Sequence, residues 1–388
     1  MVAGVQTGMI GRTGRAATLA AVFALSSCVA PEPPPRSTAR APEQRAPAYV
    51  VSVPVPKPRP RPVDRAPAQL RAQIQSLIAR FPGKAGVAIR AVDEGWTIEA
   101  GGRLRLAQQS VSKLWVALTL LDQRDRGMIR LDDPITLTRN DLTLFHQPIA
   151  YLVAKEGAYT TTVGDLLTRA LTRSDNTAND RLLTLVGGPA AVRRTIEDKQ
   201  LGDIRFGPGE RLLQSGTAGL TWQQSYSVGN GFQLARSRLA PEVRQAAFQA
   251  YIDNPPDGAA PLAIADALAR LARGELLSET STRVFLDTMG STVTGRARLK
   301  AALPAGWQLA HKTGTGQELG RRNAGFNDVG LLTAPDGRRY AIAVMIGDTS
   351  VAMSTRQDLI REAGAALIGY RSAAAANIAA MERLERGS

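Results

Sequence analysis

The sequence predicts an α+β protein: one antiparallel sheet assembled from both ends of the folded region, packed by the first and last helices, with a helical lobe between. Three observations carry that prediction. Residues 85–92 and 95–100 read as a strand pair that follows a first helical pattern at 68–81. Residues 307–313, 327–332 and 339–346 read as three further strands near the other end. The long stretch from the run after Ser110 to about residue 290 reads as mostly helical, with Thr162 and Asp165 forming a possible capping box. Strands so far apart in sequence share one sheet only if the two ends meet, which leaves a cleft between sheet and lobe. A final helix is expected over 356–370, followed by an alanine-rich tail at 371–388.

Composition bounds what such a chain does. With 388 residues, 44% of them hydrophobic, it can bury one large core or two small ones. The formal charge of +14 invites a nucleic-acid reading, yet the basic residues are scattered and no aromatic-studded basic module is visible, so no nucleic-acid partner is expected. There are 41 arginines and 7 lysines. Against that background a lysine at a chemically useful spacing is informative, because a buried lysine can lose its proton and act as a base whereas arginine cannot. His146 and His311 are the only histidines, too few for a histidine-rich metal site.

The first 28 residues carry Arg12 and Arg15, an apolar stretch, and then Leu25-Ser-Ser-Cys28, the pattern of an export signal rather than a membrane span. Cys28 is the only cysteine, so no internal disulfide can form. Residues 29–67 are proline-rich and lack the apolar content to fold alone. They read as a tether. At about 3.1 Å per residue, a proline-rich stretch of this length reaches on the order of 100 Å.

The chemistry concentrates around Ser110 and Lys113. Residues three apart share a helix face, so the Lys113 amine can reach the Ser110 hydroxyl, and a serine needs such a base to become a nucleophile. The head of a helix also offers N–H groups and a positive dipole end for a developing oxyanion. Two further motifs follow in order: Ser174-Asp175-Asn176 and Lys312-Thr313-Gly314. Together the three resemble the serine penicillin-recognising enzymes, and among them the class A β-lactamases. Ser174-Asp-Asn-Thr-Ala-Asn-Asp-Arg-Leu-Leu183, Gly187-Gly188-Pro189, Gly274-Glu-Leu-Leu277 and Ala302-Leu-Pro-Ala-Gly-Trp307 extend the resemblance over a catalytic region of about 68–372.

The resemblance implies a β-lactamase-like fold and a serine β-lactamase that opens β-lactam antibiotics through an acyl-enzyme on Ser110, with no metal and no organic cofactor. A D-alanyl-D-alanine peptidase of the same fold, or a penicillin-binding sensor or wall-anchoring module, are the alternatives. Lys113 or a glutamate-bound water would deprotonate Ser110; Ser174 and Lys312 would pass a proton to the leaving nitrogen. Thr313 and Thr315 would hold the substrate carboxylate beside Gly314. Asn176 would contact the side-chain amide and support Lys113, and Asp175 reads as a turn or capping residue. The oxyanion would sit between the backbone N–H groups of Ser110 and Thr315. Alternation along that strand turns His311 away from Lys312, against a Ser-His-Asp triad.

Glu210, in Glu210-Arg-Leu-Leu-Gln214, resembles the water-activating glutamate of the family's Ω loop, with Gln214 where asparagine is usual. Pro208 stands where an arginine commonly makes a salt bridge, for which Asp257 would be the partner. About thirty residues are inserted within 215–256, including a helix-like stretch at 241–252. The Leu-Ser-Ser-Cys28 ending resembles a lipobox, which implies lipidation at Cys28, membrane attachment through that anchor and a catalytic domain in the periplasm or cell envelope. A monomer is expected.

Overall fold

The computed structural model describes residues 66–386. The export signal, Cys28 and the tether up to residue 65 lie outside the described residues.

Helix α1 (Ala68–Ala79) turns Leu70, Ile74 and Leu77 inward, a spacing that places all three on one face. Strands β1 (Lys84–Ala91) and β2 (Thr97–Ala100) follow as the expected pair, and β3 (Gln308–Thr315), β4 (Phe326–Thr333) and β5 (Arg339–Asp348) return from the other end. The sheet order is β2-β1-β5-β4-β3, antiparallel throughout. β1 and β5, from opposite ends of the folded region, are adjacent, with Val87 opposite Val344 and Ala88 opposite Ala343.

Alternate side chains along these strands feed two cores. Val87, Ile89, Ile342 and Val344 pack with Leu70 and Ile74 of α1 and with Ile360 and Leu367 of the last helix. Ala88, Val329, Ala343 and Met345 pack on the lobe side with Leu114, Ile264 and Leu268. Helix α2 (Lys113–Asp125) runs through that second core, and every residue from Lys113 to Leu121 is buried. A helix buried on all sides suits an unbroken apolar run, and here it fixes the residues at its head against both lobe and sheet.

The lobe departs from the mostly helical reading at a short strand, Gly258–Ala259, and at a longer ribbon. Pro134–Thr138 and Ala158–Thr162 pair as a two-stranded antiparallel ribbon. Its threonine-rich strands bury only Ile135 and Leu137 of one strand, and that alternation is period two, not helical. At the end of the ribbon Thr162 Oγ1 accepts from Asp165 N at 3.1 Å, forming one half of the expected capping box. The Asp165 carboxylate instead accepts from Thr161 and Arg169.

Helix α3 (Asn176–Leu185) follows Ser174-Asp175, and helix α4 (Glu210–Thr217) carries the Ω-loop motif. The inserted segment folds into α5 (Gly231–Ser237) and α6 (Pro241–Asp253). Phe248, Tyr251 and Ile252 of α6 pack with Leu213, Ala107 and Ala324, so the insertion is built onto the walls of the cleft. Helix α7 (Pro261–Ala272) covers the lobe face of the sheet, and α8 (Met353–Arg386) runs unbroken through the alanine-rich tail.

Candidate active site

Ser110 does not sit within the α-helix itself. It lies in a 3-10 turn, Gln109–Ser112, that leads into α2. The tighter turn favours the pairing read from sequence, because side chains at i and i+3 eclipse in a 3-10 helix. Lys113 Nζ donates to Ser110 Oγ at 2.8 Å, to Asn176 Oδ1 at 2.9 Å and to Glu210 Oε1. Three donors meet three acceptors, so the ammonium form of Lys113 is fully satisfied although its side chain is wholly buried. The Glu210 carboxylate pairs that charge, which burial would otherwise make costly.

The turn is held in an unusual backbone state. Gln109 has φ +55°, a conformation a non-glycine residue adopts only where its surroundings over-determine it. Here they do. Gln109 N donates to Asp257 Oδ2 at 2.7 Å, and its side-chain amide donates to Tyr251 OH at 2.6 Å and to Ala324 O at 3.0 Å. Tyr251 OH donates in turn to Asp257 at 3.0 Å. Among the described residues, Asp257 therefore has no arginine salt-bridge partner. The place expected for a salt bridge is taken by the Gln109 backbone and a tyrosine of the insertion, and Pro208 needs no replacement for its missing charge.

Ser174 occupies a second strained position, φ +59°, between two helices. Lys312 Nζ donates to Ser174 Oγ at 2.9 Å and to Thr313 O at 2.9 Å. Burial, reinforced by the charge on Lys113, holds Lys312 well below the usual lysine range. Asp175 is structural, as expected: it accepts from Ala178 N at 2.9 Å to cap α3 and from Ile149 N at 2.7 Å. Asn176 is fixed at its other end by donating to Leu144 O at 2.8 Å.

Glu210 opens α4, and its second oxygen accepts from Gln214 Nε2 at 3.2 Å. Gln214 is itself held by Gln109 and Gln317: its amide nitrogen donates to Gln109 Oε1 at 3.1 Å, while Gln317 Nε2 donates to its carbonyl groups at 2.8 and 3.0 Å. The longer glutamine thus still reaches the carboxylate. Lys312 and His311 lie on opposite faces of β3, as alternation requires; His311 is buried and hydrogen-bonded to Asp328 at 2.8 Å, away from Ser110. A glycine is needed at 314, since a Cβ there would meet Gln108 O at 2.4 Å.

These residues border a cleft of about 450 Å³, lined by Ser110, Ser174, Asn176, Glu210, Gln214, Thr313 and Thr315 among others. Two of its cations escaped the sequence reading. Arg298 is buried, donates to Gly314 O at 2.9 Å, Asn327 O at 2.6 Å and Thr315 Oγ1 at 2.6 Å, and stacks over Phe326 at 3.7 Å. Its desolvation lowers its pKa to about 10. Arg236, from the insertion, is the other. Among 41 arginines neither carried a sequence signal. Among the described residues no group of three or more His, Cys, Asp or Glu is placed to share a metal ion.

A serine hydroxyl beside a paired lysine, a second serine-lysine pair, and a buried carboxylate braced by Lys113 and Gln214 are the elements of a serine acyl-transfer site. The profile of the beta-lactamase enzyme family matches residues 69–370, well over half of the chain. The extended-spectrum β-lactamase PER-1 of Pseudomonas aeruginosa is 28% identical over 294 residues, covering 76% of this chain and 84% of that protein. A β-lactamase of Chitinophaga pinensis superposes with a TM-score of 0.64 at 28% identity, over 77% of this chain and 97% of that one. An ancestral class A β-lactamase superposes with a TM-score of 0.61 at 28% identity, over 78% and 100%. The chain belongs to the class A serine β-lactamases.

Proposed function

We propose that the protein hydrolyses the lactam amide of β-lactams through an ester on Ser110, and the observation that carries this reading is the convergence of Ser110, Asn176 and Glu210 on the single Lys113 amine. Ser110 Oγ attacks the lactam carbonyl, and its proton is taken either by Lys113 or by a water bound to Glu210. The oxyanion is held by the backbone N–H groups of Ser110 and Thr315, both of which border the cleft. The carbon–nitrogen bond breaks as the nitrogen takes a proton from Ser174 Oγ, which is resupplied by Lys312; a depressed lysine pKa favours that donation.

Deacylation reverses the roles. Once the proton gained in acylation has been passed back to Lys312 or exchanged with solvent, Glu210 is again a carboxylate; water gives it a proton while attacking the ester, and that proton passes on to Ser110 Oγ as it leaves. Gln214, bonded to Glu210 Oε2, orients the carboxylate for this step. Thr313, Thr315 and Arg298 form the recognition site for the ring carboxylate, with Arg298 supplying the positive charge. In this reading the protein is exported and lipid-anchored through Cys28, with the catalytic region on a proline-rich tether in the cell envelope. Incubation with a chromogenic cephalosporin tests the activity: steady colour development is expected, and none at high enzyme concentration would refute the reading.

A further inference from the structure

The insertion delivers a cation that the acyl-transfer chemistry leaves unused. Arg236 of α5 lines the cleft, and its Nη2 donates to Glu318 O at 2.9 Å. One donor of five is so engaged. The neighbouring Glu318 carboxylate is turned away to Arg356, at 2.8 Å, and Glu210 is paired with Lys113. Arg236 has no ion-pair partner among the described residues. Burial and the like charge of Arg244 push its pKa down, the signature of a cation without a counter-anion.

Its position determines what it can meet. Arg298 grips the Thr315 end of the segment Thr315-Gly-Gln-Glu318, and Arg236 grips the Glu318 end. Three residue-to-residue steps separate these ends, a span of at most about 11 Å. With the ring carboxylate at Thr313, Thr315 and Arg298 and the lactam nitrogen facing Ser174, the acylamino substituent leaves from the opposite side of the carbonyl. Gln214, Gln317, Glu318 and Arg236 line the same cleft as Ser110, so a substituent leaving on that side would meet them.

We infer that Arg236 is a specificity-determining residue that selects β-lactams whose acylamino side chain carries a second carboxylate, an inference that rests on the proposed function. A guanidinium with free donors offers a carboxylate paired hydrogen bonds, and a half-buried site screens that attraction less than open solvent does. A monoanionic substrate leaves the same cation unpaired, so the discrimination is a difference between two substrates at one residue.

The test uses benzylpenicillin and its α-carboxy derivative, which differ by one carboxylate, with kcat/KM measured for both in wild type, Arg236→Gln and Arg236→Lys. The ratio of dianion to monoanion is expected to fall roughly tenfold in Arg236→Gln, the scale of one partly exposed charge-assisted bond, and to be partly kept in Arg236→Lys. Added salt should lower the ratio in wild type and leave it flat in Arg236→Gln. Thermal unfolding checks that the variants fold. A ratio that Arg236→Gln leaves unchanged, with benzylpenicillin still hydrolysed, overturns this inference alone; wild type that is acylated by neither penicillin overturns the functional reading and this inference with it.

Discussion

The Asp180 carboxylate on α3 accepts hydrogen bonds from the backbone N–H of Glu210 at 3.0 Å and of Arg211 at 3.2 Å. One side chain thus satisfies two of the free donors at the head of α4 and positions the proposed water-activating glutamate through its main chain. Gly209 makes the approach possible: it has φ +97°, and a Cβ there would meet Leu183 Cδ2 at 2.9 Å.

That arrangement predicts a pH dependence. Burial first, and the Glu210 charge second, raise Asp180 from 3.8 to about 6, and burial raises Asp257 from 3.8 to about 6 as well. A folded state that holds a proton more tightly than the unfolded state loses stability as pH rises through the interval between the two pKa values. Wild type should therefore lose stability between about pH 4 and 6 relative to Asp180→Asn or Asp257→Asn, by up to about 3 kcal/mol for a shift of this size, with no further change above. Urea unfolding across pH 4 to 7 measures the difference; a difference that stays constant would sink the assignment.

Tyr251→Phe removes a donor to Asp257 and one of the two acceptors of the Gln109 side-chain amide in a single change. Buried polar groups left unsatisfied cost about 1–3 kcal/mol. The loss should appear both in unfolding free energy and in the acylation rate, because the strained turn it braces carries Ser110. Wild-type stability in Tyr251→Phe would show that the insertion does not hold this turn.

Glu210→Gln keeps an acceptor for Lys113 and removes the base. It should form the penicilloyl adduct and then stall, with deacylation slowed about 10²- to 10⁴-fold. Ser110→Ala should form no adduct at all. Rapid quench with intact-mass detection reads both, and unchanged deacylation in Glu210→Gln would move water activation elsewhere.

Cys28→Ala should release the protein from the membrane fraction. A single acyl chain binds membranes only marginally, so stable attachment requires the several chains that a lipidated N-terminal cysteine would carry. Equal solubility of wild type and variant in fractionation would reject the anchor.

Much of the fold was legible because its elements carry local signals. The strands of the sheet are short runs, mostly buried in β1, β4 and β5, α1 spaces its apolar residues on one face, and Ser110 and Lys113 are neighbours within one turn. The ribbon at 134–138 and 158–162 was less legible, because short threonine-rich strands separated by nineteen residues advertise no pairing. The path of α8 through the tail was left open by an alanine-rich composition that marks no helix end.

Sequence alone pointed to the candidate reactive groups: the proposed nucleophile, its lysine, the second serine-lysine pair and the glutamate are each written in short motifs whose chemistry depends on residue type. Tertiary structure alone decided how those groups are braced and charged. Gln109 with Tyr251 and Asp257 in place of a salt bridge, Asp180 under Glu210, and Arg298 and Arg236 at the cleft are all contacts between residues far apart in the chain. No local pattern encodes such contacts, since they form only when the inserted helices, the Ω loop and the sheet edge close around one turn, and it is their burial that sets the pKa values there.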